Sequence, residues 1–92
     1  MSTASRTVTI VNAKGLHARA SAKLVTLVDS LSDNVKVEVE KDGSRVTGDS
    51  ILDLMMLGAA KGDDITLHVA GDDAEKALTK LVGLVLDGFG ED

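Results

Sequence analysis

Two stretches that alternate between apolar and polar residues restrict the fold of this chain most. Residues 35–40 read Val-Lys-Val-Glu-Val-Glu, and residues 65–70 read Ile-Thr-Leu-His-Val-Ala. Successive side chains of a β-strand point to opposite faces of the sheet, so each stretch predicts a strand that is buried on one face only. Parallel sheets are buried on both faces, whereas antiparallel sheets tolerate one solvated face. The pattern therefore predicts a mostly antiparallel sheet with helices on a single face.

Two further strands complete the predicted sheet. Residues 7–12 alternate and are rich in β-branched side chains, which favours a strand, whereas the small polar residues 1–6 are expected to be loose. Asp42 and Gly43 form a dipeptide that strongly indicates a tight hairpin turn. Residues 45–47 are then expected to form the short return strand.

Two segments between the strands carry helical periodicity. The first begins near Ala18 and is closed by the polar residues Ser30, Ser32, Asp33 and Asn34. The second is short and runs from a capping residue, Ser50, to about Leu57, with Asp53 at the position that completes a capping box. The expected core stripe of the first helix consists of Ala20, Leu24, Leu27, Val28 and Leu31.

A third helical segment follows the last strand. Asp72 and Glu75 form a second helix-start pair, and the helix is expected to end near Gly88, with Phe89 anchoring the tail. Its expected core stripe consists of Ala74, Ala77, Leu78, Leu81 and Val85. The elements thus predict an α+β two-layer sandwich in the order βαββαβα.

The composition excludes several classes of function. With 92 residues the chain is long enough for one small domain, spanning residues 1–92, and 43% of it is apolar. Its single aromatic residue, Phe89, and its net charge of −5 argue against a nucleic-acid-binding surface. The absence of cysteine excludes disulfides and thiolate metal sites. No apolar run reaches membrane-spanning length, so we expect a cytoplasmic protein without a membrane partner.

The stretch from Lys14 to Ala22 has the composition of an anion-binding site. Gly15 suits a tight turn between the first strand and the first helix, and it leaves His17 at the start of that helix. Helix starts carry unpaired backbone N–H groups and the positive end of the helix dipole, which favour phosphate. Arg19 adds a guanidinium with donors shaped for phosphate oxygens. Together these groups favour a phosphoryl group carried on the imidazole of His17, although a lone histidine at a helix start is more often a cap or a solvated side chain.

The remaining polar residues predict no comparable site. His68 alternates onto the polar side of a strand and is expected to be solvated. The aspartate pairs at 63–64 and 72–73 lie beside turn glycines and are interpreted as turn and capping residues. No third histidine and no suitably spaced carboxylate pair accompanies His17, so neither a metal site nor a cofactor is expected.

Residues 15–19, Gly-Leu-His-Ala-Arg, resemble the active-site signature of HPr, the histidine-containing phosphocarrier family of the bacterial phosphoenolpyruvate-dependent phosphotransferase system. Residues 48–57 resemble the family's regulatory-serine segment and the short helix after it, and the resemblance covers nearly the whole chain. It implies an open-faced β-sandwich in which three helices cover one face of a four-stranded, mostly antiparallel sheet. It also implies a phosphoryl carrier rather than an enzyme.

The resemblance implies an order of transfers. Enzyme I, itself phosphorylated by phosphoenolpyruvate, would donate a phosphoryl group to Nδ1 of His17, and phospho-His17 would pass it to a histidine of a IIA-type protein. The N–H groups near Ala18 and Arg19 would hold the transferred oxygens, and the Arg19 side chain would offset charge in the transition state.

The family also implies regulation at the short helix. Ser50 is expected to cap the helix, and the matching serine of the family is phosphorylated by a dedicated kinase, the HPr kinase/phosphorylase. In this chain Asp49 and Asp53 flank Ser50, and like charges would repel a phosphate there.

The short helix is also the expected docking surface for partners. It contains more large apolar residues than one face can bury, which is typical of a surface that binds several proteins in turn. The expected docking residues are Ile51, Leu52, Met55 and Ala20. The protein itself is expected to be a monomer.

Ala20 is a departure from the family, whose commonest form has proline there. Alanine also fits a first helical turn, and it leaves one more N–H free, so the anion site should survive. Ala20, with the acidic residues Asp29, Asp49 and Asp53, favours the nitrogen-related or regulatory branch of the system over the sugar-transport branch.

Two alternatives to the phosphocarrier role are considered. One is an interaction module of the same fold that carries no phosphate. The other, with less support because acid/base groups are few, is a small stand-alone enzyme.

Overall fold

The computed structural model describes residues 2–91, and its elements follow the order βαββαβα, as predicted. The strands are β1 (Ser2–Thr9), β2 (Val35–Lys41), β3 (Ser44–Thr47) and β4 (Asp64–Gly71). The helices are α1 (Ala18–Asp29), α2 (Ile51–Met56) and α3 (Ala74–Leu86), followed by a 3₁₀ turn at Gly88–Gly90.

The four strands form one sheet in the order β1-β4-β2-β3. Every neighbouring pair is antiparallel. Alternate residues of β4, such as Leu67, are buried beneath the helices, whereas Thr66 and His68 lie on the face that the helices leave uncovered. The predicted α+β open-faced sandwich is therefore confirmed.

The first strand begins earlier than predicted. β1 starts at Ser2, where a loose segment was expected, and it ends at Thr9 instead of residue 12. β4 supplies a full antiparallel ladder along residues 2–9, and these backbone hydrogen bonds hold polar residues in a strand although their own propensity is poor. Met1, the first residue of the segment expected to be loose, lies outside the described residues.

The end of β1 is closed by the loop before β4. The amide of Ile10 donates to the carbonyl of Asp63 at 2.9 Å, and the amide of Gly62 donates to the carbonyl of Ile10 at 2.8 Å. Residues 10–12 are thereby held in place without being part of the strand. They lead directly into the turn that contains Gly15.

Helix packing follows the predicted stripes with one exception. All five predicted core residues of α3 are buried, and Phe89 is completely buried beneath the tail. Of the five core residues predicted for this segment, Ala20 and Leu24 are fully buried, whereas Leu27, Val28 and Leu31 are only partly buried. Leu31 lies beyond the end of α1, and Ser21, which was not among the predicted core residues, is also fully buried. The C-terminal half of α1 therefore lies at the edge of the core.

The hairpin turn is confirmed, but the start of α3 differs from the prediction. Asp42 and Gly43 have φ values of +50° and +86°, as the tight hairpin turn requires. The residue before α3 is Asp73, in a left-handed conformation with φ of +55°, and its side chain makes no capping bond. Asp72 instead accepts a hydrogen bond from the side chain of Asn34 at 3.3 Å. Within residues 2–91 no helix is long and apolar enough to cross a bilayer.

Candidate phosphohistidine site

A glycine that packs against backbone fixes the connection between β1 and α1. Gly15 has φ of +61°, and a Cβ atom added there would lie 2.2 Å from the carbonyl oxygen of Ala59. The next residue, Leu16, donates its amide to that same carbonyl at 3.0 Å. The turn is therefore held against the segment that follows α2, and only glycine fits it without strain.

His17 is the N-cap residue of α1, yet its imidazole does not act as the cap. Its backbone is extended, with φ of −73° and ψ of −179°, and its carbonyl accepts the first helical bond from Ser21 at 2.9 Å. Its side chain makes no hydrogen bond to the helix start, so the capping alternative for His17 is wrong. No backbone partner is found within the described chain for the amides of Ala18, Arg19 and Ala20, and such amides are donors for an anion.

Cationic side chains surround the imidazole. His17 lies in a surface depression with three cations, Lys14, Arg19 and Lys23, and with one carboxylate, Glu91. The sequence predicted that Arg19 shares a site with His17, and the structure does bring the two residues to one depression. A protein of net charge −5 thus has a locally basic surface at His17, which suits a phosphoryl group.

Glu91 is a residue of this site that the sequence analysis missed, as it also missed Asn12 and Lys23. Its Oε2 lies 2.5 Å from Nε2 of His17, and its Oε1 accepts a hydrogen bond from Nδ2 of Asn12 at 3.0 Å. The Asn12 hydrogen bond is the main cause that lowers the pKa of the Glu91 carboxyl; desolvation opposes it, and His17 and Lys23 add to it. Residues 74 positions apart in sequence meet here, and no local spacing could reveal the pair. The one signal was Phe89, the predicted anchor of the tail.

The segment that carries Glu91 is itself tied down. Phe89 is fully buried, and its carbonyl accepts a hydrogen bond from Nζ of Lys23 at 2.6 Å. Lys23 lies on α1, so the 3₁₀ turn is joined to the same helix that begins at His17. The carboxylate is therefore held at the imidazole from two sides, by Asn12 and by the anchored turn.

Ser50 caps α2, as predicted. Its Oγ accepts a hydrogen bond from the amide of Asp53 at 3.3 Å, and its backbone is extended, as in most N-caps. Asp49 lies next to Ser50 and is fixed by a hydrogen bond from the Thr47 hydroxyl at 2.8 Å. Asp49 precedes the capping serine, and Asp53 donates the capped amide.

The apolar residues of α2 divide into buried and exposed ones. Leu54 is fully buried, whereas Ile51, Leu52 and Met55 are 40%, 66% and 41% exposed. Met56, which the sequence analysis did not include among the docking residues, is the most exposed at 74%. Ala20 must be corrected: it is completely buried on the core side of α1, so it offers no surface for docking.

His68 lies on the uncovered face of the sheet, as its alternation predicted, but it is not simply solvated. Its Nε2 lies 2.7 Å from Oε1 of Glu40 on the neighbouring strand. It does not line the depression around His17. Across residues 2–91 there is no group of three or more histidine, aspartate or glutamate residues that could hold a metal ion.

The fold and the site together describe a small open-faced α+β sandwich with one histidine at the N-cap of a helix, where the first helical amides have no backbone partner within residues 2–91. Residues 4–87 match the model of the PTS HPr component phosphorylation site family, and the chain belongs to this family. Its relatives of known name are phosphocarrier proteins and not catalysts, as expected for the chain from its resemblance to HPr.

Individual relatives cover almost the whole chain. The phosphocarrier protein HPr of Cupriavidus necator is 42% identical over 86 residues, 94% of each chain. The phosphocarrier protein NPr of Escherichia coli K12 is 34% identical over 90 residues, 98% of this chain and 99% of that one. Among solved structures, an HPr from Thermoanaerobacter tengcongensis superposes with a TM-score of 0.89 at 38% identity, covering 97% of this chain and 98% of that chain. An HPr from Bacillus anthracis superposes with a TM-score of 0.85 at 32% identity and covers 92% and 99%.

Proposed function

We propose that this chain is a phosphocarrier of the phosphotransferase system that accepts a phosphoryl group on Nδ1 of His17. The observation that carries the proposal is the position of the imidazole at the N-cap of α1, where it is not used as a cap. Among residues 2–91 the first amides of this helix also have no backbone partner. In this proposal the amides of Ala18 and Arg19 hold the transferred oxygens. Arg19 offsets the charge that develops on the phosphoryl group, and Lys14 and Lys23 add to the basic surface.

The proposed donor is phosphorylated enzyme I, and the proposed acceptor is a histidine of a IIA-type protein. The exposed apolar residues of α2 support a surface that docks both in turn, because exposed Leu and Met side chains adapt to different partners. We propose Ile51, Leu52 and Met55 for this role and add Met56 on the basis of its exposure. The proposal treats residues 1–92 as one domain that acts as a monomer in the cytoplasm, where the donor system operates.

The proposal includes regulation at Ser50 by an HPr kinase/phosphorylase. A phosphoryl group on Oγ would alter the cap of α2 and would lie between Asp49 and Asp53.

The assignment of this chain to the nitrogen-related branch is also a hypothesis. Relatives named HPr and a relative named NPr both match nearly the full chain, so the branch depends on which IIA-type protein accepts the phosphoryl group.

Transfer from phosphoenolpyruvate tests the carrier role directly. Wild-type protein, His17→Ala and His68→Ala would each be incubated with enzyme I from the same organism and labelled phosphoenolpyruvate. We expect acid-labile, alkali-stable phosphate on the wild type and on His68→Ala, and none on His17→Ala. His68→Ala is the matched control because it removes the other histidine, which lies outside the depression. No incorporation into the wild type would reject the carrier role and favour an interaction module of the same fold.

A further inference from the structure

The contact between Glu91 and His17 decides which nitrogen of the imidazole is free. Nε2 lies 2.5 Å from the carboxylate, and Nδ1 has no such partner within residues 2–91. An ionised carboxylate only accepts hydrogen bonds, so Nε2 must carry a proton. A neutral imidazole has a single N–H, which leaves the lone pair on Nδ1.

We propose that Glu91 is a positioning residue for phosphoryl transfer, which holds the Nε2–H tautomer of His17 and thereby presents the Nδ1 lone pair to the donor. This inference rests on the proposed role of His17 as phosphoryl acceptor. Glu91 itself lies outside residues 4–87, the part of the chain that matches the family model.

The carboxylate also matches the charge that appears during transfer. The Nδ1 lone pair forms a bond to phosphorus while the bond between phosphorus and the donor atom of enzyme I breaks, and that electron pair stays with the donor. The imidazole becomes a cation that keeps its proton on Nε2, facing Glu91, which offsets the new positive charge. In the reverse direction the N–P electron pair returns to Nδ1 and the proton again stays on Nε2. The step needs no further reactant.

Asn12 fixes the orientation of this arrangement. Its Nδ2 donates both to the carbonyl of Gly15 at 2.9 Å and to Oε1 of Glu91 at 3.0 Å. A flipped amide would point its oxygen at two other oxygens, so the donor side must face Glu91. Asn12 is only 4% exposed, and Gly15 is part of the rigid turn, so this donor is held in place.

The orientation of Asn12 predicts an unusual effect of a conservative substitution. In Glu91→Gln the side-chain oxygen remains the acceptor for Asn12, so the amide NH₂ group faces Nε2 of His17. Nε2 must then accept a hydrogen bond, which moves the imidazole proton to Nδ1 and blocks the nucleophile. Glu91→Ala only removes the hydrogen-bond partner of Nε2. The two neutral tautomers of His17 then have the populations of a solvated imidazole. The amide variant should therefore be impaired more than the alanine variant.

Nitrogen NMR of ¹⁵N-histidine-labelled protein measures the tautomer without any phosphoryl transfer. At a pH where the imidazole is neutral we expect Nε2–H alone in the wild type, predominantly Nδ1–H in Glu91→Gln, and a mixture in Glu91→Ala. Glu75→Gln, an exposed acid-to-amide change on α3, is the matched control and should resemble the wild type. Backbone spectra check that each variant is folded.

Transfer rates from phosphorylated enzyme I complete the test. We expect transfer to Glu91→Gln to be slower by about tenfold or more, with a smaller loss in Glu91→Ala and none in Glu75→Gln. An unchanged tautomer in Glu91→Gln, or a shifted tautomer with an unchanged rate, would overturn the inference. If the wild type accepts no phosphate at all, the proposed function fails, whereas the NMR result still reports on the contact itself.

Discussion

Gly15 and Gly58 adopt nearly the same left-handed backbone conformation, with φ of +61° and +68°, but only Gly15 lies against other backbone atoms. A Cβ at Gly15 would meet the carbonyl of Ala59, whereas nothing lies within 4 Å of a Cβ at Gly58. The two positions therefore separate the cost of the backbone conformation from the cost of the close approach.

We predict that Gly15→Ala destabilises the protein far more than Gly58→Ala. Gly58→Ala should lose about 1–2 kcal/mol, the usual cost of a left-handed non-glycine residue. Gly15→Ala should lose more than about 3 kcal/mol, because backbone must also move. Urea unfolding measures both. Equal losses would show that the turn accommodates a side chain and that contact with Ala59 does not restrict it.

Glu91 makes the site sensitive to acid. Its pKa lies below the ordinary value of 4.5, first because of the Asn12 hydrogen bond and then because of His17. A depressed pKa stabilises the folded state above pH 4.5, and this contribution is lost as the pH falls through the folded-state pKa.

We predict that the carboxyl carbon of Glu91 titrates below pH 4.5 in the wild type and at a higher pH in Asn12→Ala. Carbon NMR of glutamate-labelled protein measures this midpoint. His17→Ala should also raise it, because the His17 imidazole likewise lowers the pKa of the Glu91 carboxyl. A midpoint that is the same in all three proteins would contradict the hydrogen-bonding arrangement described for the site.

The six residues of helix α2 include one core residue and several exposed apolar residues. Leu54 closes the core, while its neighbours on the helix stay exposed. Helical spacing alone does not show which of the apolar residues faces the sheet, because nearly every position of α2 is apolar. Only the packing of α2 against α1 and β3 decides it.

We predict that a substitution at Leu54 lowers stability, whereas a substitution at Leu52 weakens docking and leaves stability nearly unchanged. Leu54→Ala should lose about 2–5 kcal/mol of stability because it leaves a cavity. Leu52→Gln should change stability by less than about 0.5 kcal/mol, because the side chain is exposed. It should nevertheless raise the KM for enzyme I about tenfold if α2 docks the partner. Leu86→Gln, also at an exposed leucine but on α3, is the control and should leave KM unchanged. An unchanged KM in Leu52→Gln would remove this residue from the docking surface.

At the scale of the whole molecule, the first strand and the segment after the last helix both lead to the site. β1 pairs along its full length with β4 and leads into the turn at Gly15. The segment after α3 returns to the same point, where buried Phe89 and the Lys23 bond hold Glu91 at His17.

We predict that Phe89→Ala lowers stability by about 3–5 kcal/mol and also releases Glu91 from His17, because the 3₁₀ turn loses its anchor. Phe89→Leu fills most of the space and should lose less. Urea unfolding measures the stability, and ¹⁵N-histidine NMR measures the imidazole contact. A Phe89→Ala protein that keeps the wild-type tautomer would show that Asn12 alone suffices to hold Glu91.

The alternation of residues 35–40 and 65–70 was sufficient to predict a sheet with one buried face. The apolar stripe of α3 was sufficient to predict which face of that helix is buried. These predictions succeeded because side-chain direction in a strand or helix is a local property of the backbone. The first strand was misplaced because residues 2–6 have no strand pattern of their own and depend on pairing with β4. Ala20 was assigned both to the core stripe of α1 and to the docking surface, and its complete burial confirms the first assignment and contradicts the second.

The sequence by itself determined the order of the elements, the turn at Gly15 and the position of His17 and Arg19 at a helix start. All of these follow from interactions between residues a few positions apart. Only the tertiary structure decided which of the apolar residues of α2 are exposed, that β1 reaches back to Ser2, and that Asn12 and Glu91 hold the imidazole. These features depend on contacts between distant parts of the chain, and such contacts exist only once the sheet and helices have packed.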